Sequence, residues 1–445
     1  MLGATAIRRI LSRTPTPPTL ARSASIGTFS EATMATGLRR ARARASWGVV
    51  ACAVVIGCAV KLLLARTTDG TLDVAYWALF LDAYQHFGGL ALYRQTQLFD
   101  DRFNEVFNHP PFMIHVLRIM GALATATRIP FPFWLRLPAI LADVGTVALV
   151  GGLLGRTRAA RAVAVALAVL AVAPPAILVS GFHGNTDPVM VFFILLTVYL
   201  LTREQEAGGR HHTWLAGAAF GMGMNIKVVP LLLLPVLLFA LPTARKRLAF
   251  LAAAGAVVAV GSLPYLLQDP VTIAARIFGY GSQYGRWGVP RVLGLLPPQF
   301  AWLDALYARA GRYLVLASVV AASWAMNRRA TKPPLALQCG LILFLFLFLT
   351  PGFGVQYLAW LVPWPLEIGL WAAVLYYTTS GLFLLLVYTF AYHLRVGGFP
   401  WGLADAAGSF WRGQLIAAEL ACWIAVGIIT LAYCQRLRPR RQGTP

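Results

Sequence analysis

Residues 68–115 read TDGTLDVAYWALFLDAYQHFGGLALYRQTQLFDDRFNEVFNHPPFMIH, the one long polar passage between hydrophobic segments in the first half of the chain. Asp69, Asp73, Asp82, Asp100, Asp101 and Glu105 lie in it, six of only sixteen acidic residues, so the scarce carboxylates are concentrated where an apolar chain surfaces. Around this passage the 445 residues are 58% hydrophobic and only 12% charged, which leaves too few polar side chains to cover a soluble surface. The apolar runs have helical rather than barrel-strand length, and backbone groups in lipid must be satisfied within their own segment. The expected fold class is therefore an all-α polytopic membrane protein. The formal net charge of +22 is spread as short basic clusters between apolar runs rather than gathered on one soluble face. That pattern reads as a topology signal and argues against nucleic acid as a partner. The five cysteines, Cys52, Cys58, Cys339, Cys422 and Cys434, fall in or beside apolar segments and show no metal spacing or disulfide framework.

The basic clusters also settle the expected topology. Arg39 to Arg44 precede the first span, 47–64, and hold the N-terminus in the cytoplasm, which puts the acidic passage outside. Segment 76–87 is amphipathic and suits a helix lying on the membrane surface, while 112–127 is a marginal span interrupted by His115 and Arg118. If 112–127 stays juxtamembrane, every later basic cluster (Arg156 to Arg161, Arg245 to Arg247, Arg328 to Lys332, Arg436 to Arg441) falls in the cytoplasm. If it crosses, they fall outside. The expectation is a bundle of about twelve crossings, with juxtamembrane helices in the first and a later external loop. The pair 214–224 and 228–241 is short for two spans and could be one kinked helix. Four regions follow: a basic disordered cytoplasmic tail, 1–46; a membrane module, 47–365, with external loops 65–134 and 268–312; C-terminal transmembrane helices, 366–435; and a basic cytoplasmic tail, 436–445. A transit peptide is a minor alternative for the first of these.

Under this topology the unusual polar motifs share one side: Asp73 and His109, then His183, Asn185 and Asp187 in FHGNTDP, Asn225 and Lys227 in MNIKVVP, Arg286 and Arg291 in YGRWGVPRVL, and Gln356 and Tyr357 in GFGVQYLAW. Ionisable groups at a membrane are expensive, so their convergence implies a polar ligand or a reaction site.

These residues resemble the GT-C superfamily of integral-membrane glycosyltransferases, especially bacterial polyprenyl-phosphate-mannose-dependent mannosyltransferases and more distantly the dolichyl-phosphate-sugar-dependent enzymes of the endoplasmic reticulum. The resemblance covers 47–365. It rests on Asp73-Val-Ala-Tyr76-Trp77, Gly-Gly-Leu-Ala-Leu-Tyr93, His109-Pro-Pro-Phe, Arg136-Leu-Pro with Asp143, Gly-Asn-Thr-Asp187, Lys227 before a Leu/Pro run, and Gln356-Tyr-Leu-Ala-Trp-Leu-Val-Pro. It implies a GT-C-like bundle that transfers a hexose, mannose first, from a polyprenyl-phosphate donor to a glycan or lipid-linked acceptor at the extracytoplasmic face, usually with inversion. Such chemistry needs a carboxylate for the acceptor proton and cations for the departing phosphate. Asp73 fits the base by its place in the motif, and its plain reading is a helix N-cap. Asp82 and Asp187 are secondary candidates, although Asp82 projects from another helix face.

Lys227, Arg286, Arg291 and His183 are candidates for the donor phosphate, with a snorkelling lysine and interfacial or lid arginines as the plain readings. His109, Tyr76, Trp77, Asn185, Gln356 and Tyr357 are candidate substrate contacts, and Asn185 could equally cap the helix that Pro188 opens. Arg136 and Asp143, seven apart, suit structural polar contacts inside the bundle. No cofactor and no metal site are expected, although His183 and Asp187 leave a divalent cation open. The expected location is a bacterial inner membrane, ahead of the endoplasmic reticulum. Two rival functions fit the same composition: a secondary transporter, against which stand the lack of repeated halves and the polar motifs outside the midplane, and a polymerase or ligase using a lipid diphosphate.

Overall fold

The computed structural model describes residues 26–94, 107–207, 211–329, 331–392, 395–396, 399–400 and 409–438. Asp100, Asp101, Glu105 and the far ends of both expected tails lie outside the described residues. The chain divides into two contact units, Met1–Gly48 and Val49–Pro445. In the first, the described residues are helical from Ile26 onward. All that follows concerns the second.

The protein is a polytopic all-α membrane protein. Among the described residues, seven helices are long and apolar enough to cross a bilayer: Ser46–Thr67, Phe131–Leu154, Ala160–His183, Ala244–Leu266, Pro298–Asn327, Leu370–Phe390 and Gly413–Arg436. Other legs are Asp187–Ala207, His211–Ile226, the shorter apolar helices Val229–Ala240 and Leu335–Leu349, and a broken run over 355–368. Large apolar side chains face outward, as with Val260, 84% exposed, and Leu267, 77% exposed, whereas Arg136 and Asp187 are fully buried. Apolar outside and polar inside is the distribution a lipid solvent imposes.

Helix Asp187–Ala207 shows how the two ends of the bundle differ. It begins at Asp187, which pairs with Lys227. It ends near Glu204 and Glu206, which pair with Lys246 and Arg156. Those ends are about 26 Å apart at 1.5 Å per residue, close to a hydrocarbon thickness. Basic side chains cap helices at the second end: Arg158 and Arg436 donate to the carbonyls of Glu367 and Ile368, and Lys332 to that of Phe239. The chain reverses at Lys227, where His211–Ile226 gives way to a 3-10 turn, Val229–Leu233, and then to the short helix Leu234–Ala240. It is a reversal and not a kink, because Arg247 reaches the Leu241 carbonyl beside the Lys246–Glu204 pair at the basic end. Phe112–Thr127 starts beside His109 and finishes where Thr127 accepts from the Trp134 indole, two residues before Arg136. Both of its ends therefore lie at the polar end of the bundle.

Inside the bundle, the Lys61 ammonium and the Ser180 hydroxyl both reach Asp143 Oδ2, at 2.5 and 2.7 Å. Arg136 donates to the carbonyls of Ala65 and Thr68, closing the end of the first span. The structural role expected for Arg136 and Asp143 is what these contacts perform. Lys61→Met strands the Asp143 carboxylate and is expected to cost about 3–5 kcal/mol. A thermal melt followed by tryptophan fluorescence in detergent should fall by several degrees, and adding Asp143→Leu should recover most of the loss.

Candidate active site

Two loops approach closely enough to bring the site together. Gly70 and Gly184 both adopt positive φ, +86° and +81°, and a Cβ on Gly184 would stand 2.2 Å from Val74 Cγ2. Only glycine permits that backbone and that distance. Thr71 is the N-cap of helix Leu72–Phe87: its hydroxyl accepts from the Asp73 backbone N–H and donates to the His183 carbonyl, tying the two loops. The cap role that the sequence allowed for Asp73 thus belongs to Thr71, and the Asp73 carboxyl is left for other partners.

Those partners come from the Phe-His-Gly-Asn segment. Helix Ala160–His183 ends in a π-turn, Val179–His183, a widened turn that swings His183 out of α register. Asp73 Oδ2 meets His183 Nε2 at 3.0 Å and accepts from Asn185 Nδ2 at 2.8 Å. Tyr388 Oη lies 2.9 Å from the other ring nitrogen, Nδ1. Asn185 serves twice, since its Oδ1 accepts from the Asp187 backbone N–H and caps the next helix. Among the described residues no hydrogen bond occupies Asp73 Oδ1. Burial alone would raise the Asp73 carboxyl, but the electrostatic pull and hydrogen bond of His183, the Asn185 amide and the charge of Lys227 together hold it at about 2. It is therefore ionised throughout the neutral range, and its stabilising contribution is lost only as pH falls below about 4 toward 2.

Two cavities meet at Asp73. The larger, about 330 Å³, is lined by Asp73, His183, Arg286, Arg291, Gln356 and Glu419 among others. The smaller, about 60 Å³, holds Trp77, His109, Asn185 and Lys227. Tyr76, Tyr280 and Gln356 line both, so these three side chains and Asp73 form the divide.

The cations differ in what already neutralises them. Lys227 Nζ is 2.8 Å from Asp187 Oδ1 and lies over the Tyr357 and Trp360 rings, at 5.3 and 5.7 Å. Trp360 Nε1 donates to Asp187 Oδ2, so both oxygens of this buried carboxylate are engaged. Arg291 is bidentate to Glu419, with contacts of 2.9 to 3.2 Å. Arg286 makes no ion pair among the described residues. It is nonetheless well placed, between the antiparallel pairing of Gln283–Tyr284 with Gly352–Phe353 and the buried Trp287, which stacks on Phe353 at 4.2 Å and donates to the Leu347 carbonyl. His109 stacks against Trp77 at 4.5 Å, and burial followed by the Lys227 charge pushes its imidazole down to about 3. It is neutral, its ring donating to the Ile226 carbonyl, and its buried Nδ1 has no hydrogen-bond partner among the described residues.

Of the residues singled out in the sequence, the structure brings together Asp73, Tyr76, Trp77, His109, His183, Asn185, Asp187, Lys227, Arg286, Arg291, Gln356 and Tyr357. It does not bring in Asp82, which is half exposed and pairs with His86 one turn along its own helix. His183 and Asp187, the pair that left a cation open, point to different partners, Asp73 and Lys227. Tyr388 and Glu419 were not foreseen. Both sit in apolar helices of the last third, where the only local signal is the cost of a buried polar group without a partner.

Fold and site together define a polytopic membrane protein with a carboxylate–imidazole pair opening on a cavity at one end of its bundle. Residues 108–266 match the family model described as Dolichyl-phosphate-mannose-protein mannosyltransferase, a stretch that holds His109, His183, Asp187 and Lys227. Over 175 residues the chain is 33% identical to a Bacillus subtilis protein named "Putative mannosyltransferase YkcB", covering 36% of this chain and 24% of that protein. The aligned part thus spans about a quarter of that relative's length. Crystal structures of ArnT from Cupriavidus metallidurans, in the apo state and bound to Undecaprenyl phosphate, give TM-scores of 0.47 and 0.46 at 14% identity, covering 88% of this chain and 78% and 77% of theirs. The family match and the bacterial relative bear out the resemblance to the GT-C membrane glycosyltransferases.

Proposed function

We propose that this protein is a glycosyltransferase that moves a hexose, mannose first, from a polyprenyl-phosphate donor to a glycan or lipid-linked acceptor, with inversion and with Asp73 as base. The observation that carries this reading is the placement of Asp73: Oδ2 is held by two donors, Oδ1 carries no hydrogen bond among the described residues, and the carboxylate lines a cavity shared with Arg286, which makes no ion pair among those residues.

In the reaction, the acceptor hydroxyl oxygen bonds to the anomeric carbon as the bond from that carbon to the phosphate oxygen breaks. The electron pair leaves with the phosphate, which gains a negative charge, and the hydroxyl proton passes to Asp73 Oδ1. A carboxylate at about 2 is a weak base. It suffices because the attacking oxygen becomes strongly acidic as its new bond forms. Arg286 is suited to the growing phosphate charge, and Arg291, already neutralised by Glu419, buttresses the cavity wall. Lys227 is offset by Asp187 and, with His109 Nδ1, Asn185 and Trp77, suits hydroxyl recognition in the smaller cavity.

The positive-inside rule favours a cytoplasmic setting for the basic end of the bundle, and with it an extracytoplasmic cavity and cytoplasmic termini. A bacterial inner membrane is the location this reading favours.

The test is transfer of radiolabelled mannose from synthetic polyprenyl-phosphate-mannose to membrane acceptors by the purified protein, with GDP-mannose as donor control. Transfer from the lipid donor and none from the nucleotide sugar is the expected result. Transfer from GDP-mannose, or from no lipid-linked hexose offered, overturns it.

A further inference from the structure

The Asp73–His183 pair has a third member that the reaction as written does not use. Tyr388, on helix Leu370–Tyr392, is fully buried, with its hydroxyl 2.9 Å from His183 Nδ1. Its ring packs on Phe182 at 5.0 Å and on His183 at 5.5 Å, with the phenol and imidazole planes tilted 43° to one another.

An imidazole with one proton carries it on Nδ1 or on Nε2, and the other nitrogen presents a lone pair. At His183 the two choices are far from equal. Nε2 faces the Asp73 carboxylate at 3.0 Å, and a lone pair there would oppose an anion. With the proton on Nε2, the ring donates to Asp73 and leaves Nδ1 as an acceptor, which a buried site must supply with a donor. The Tyr388 hydroxyl is that donor. The doubly protonated ring has a cost of its own: it would turn the Tyr388 contact round and form an ion pair with the carboxylate that must accept a proton.

We infer that Tyr388 is a positioning residue for the base: its hydroxyl donates to His183 Nδ1, fixes the Nε2–H tautomer and so keeps Asp73 Oδ2 hydrogen-bonded while Oδ1 stays open to the cavity. This rests on the reading of Asp73 as base. The other titratable groups around His183 are Tyr76 and Tyr280 on the cavity wall, Arg286, Arg291 and Glu419 across it, and Lys227 with Asp187 behind Asp73. Arg291 with Glu419, and Lys227 with Asp187, are internally compensated pairs.

Loss of the hydroxyl in Tyr388→Phe keeps the ring and its packing on Phe182. Nδ1 then loses its donor, and the ring either moves its proton to Nδ1 or takes a second one. Transfer should fall about tenfold, the value of one buried hydrogen bond. The loss should fall on kcat while the KM for donor stays unchanged.

The direct readout is magic-angle-spinning NMR of ¹⁵N-histidine-labelled protein in lipid bilayers, with the His183→Gln spectrum identifying the signal among the seven histidines. The expected wild-type signal at neutral pH is the Nε2–H tautomer, and Tyr388→Phe should displace it toward Nδ1–H or imidazolium. A wild-type ring protonated on Nδ1, or on both nitrogens, overturns the inference whether or not the variant folds. An unchanged signal in the variant also overturns it. If Asp73→Asn retains full transfer while the tautomer still answers to Tyr388, the base assignment falls and the tautomer assignment stands.

Discussion

Replacing Asp73 with asparagine is expected to lower kcat/KM for sugar transfer about 10³-fold, the range open to a positioned general base. The loss should be almost all in kcat. The amide matches the carboxylate in shape, and its oxygen can still accept from His183 Nε2 and Asn185 Nδ2, the two donors at 3.0 and 2.8 Å. The loops they join should therefore remain folded, and donor binding, measured at equilibrium with a non-hydrolysable phosphonate analogue, should be retained. What the amide cannot do is take a proton at the position facing the cavity. Retained transfer would be hard to reassign to a neighbour. Asp82 is half exposed on another face, and Asp187 has one oxygen on Lys227 and the other on Trp360. A variant within threefold of wild type would thus remove base catalysis from Asp73 and from both secondary carboxylate candidates, Asp82 and Asp187.

The membrane class and the site face were legible in the sequence because lipid leaves few options. Apolar runs must be helices, and basic loops fix which ends share a side, so the parity argument alone put FHGNTDP, MNIKVVP and YGRWGVPRVL on the same side as Asp73. Partners were not legible, because they depend on how helices far apart in the chain rotate against one another. Lys227 reads as a free cation until its helix end meets Asp187, forty residues earlier. Asn185 reads as a cap, which it is, but the second half of its amide is spent on Asp73. Tyr388 is one of several buried tyrosines in helix Leu370–Tyr392: Tyr376 and Tyr377 donate to the carbonyls of Leu358 and Val362, and Tyr388 alone of these three meets a side chain of the site. A sequence shows that each such hydroxyl needs a partner and cannot show which one serves chemistry.

Arg286→Gln is expected to reduce kcat about 10²- to 10³-fold, with a smaller rise in the KM for donor. The split follows from where charge changes. A phosphodiester-linked sugar carries one negative charge on its phosphate, and the departing monoester carries two, so a cation beside it interacts more strongly with the transition state than with the bound donor. Of the cations in the two cavities, Arg286 makes no ion pair among the described residues, whereas Arg291 is bidentate to Glu419 and Lys227 is offset by Asp187. Its backbone is fixed on both sides, by the strand pairing at Tyr284 and by Trp287 against Phe353, so the response does not depend on closure of a loop. Arg286→Lys should restore part of the rate, because the charge returns without the two-pronged fit to phosphate oxygens. Steady-state kinetics on Arg286→Gln and Lys227→Met decide between the two cavities as the phosphate site. A larger kcat loss in the lysine variant would move the leaving group to the smaller cavity and make the larger one the place of the acceptor.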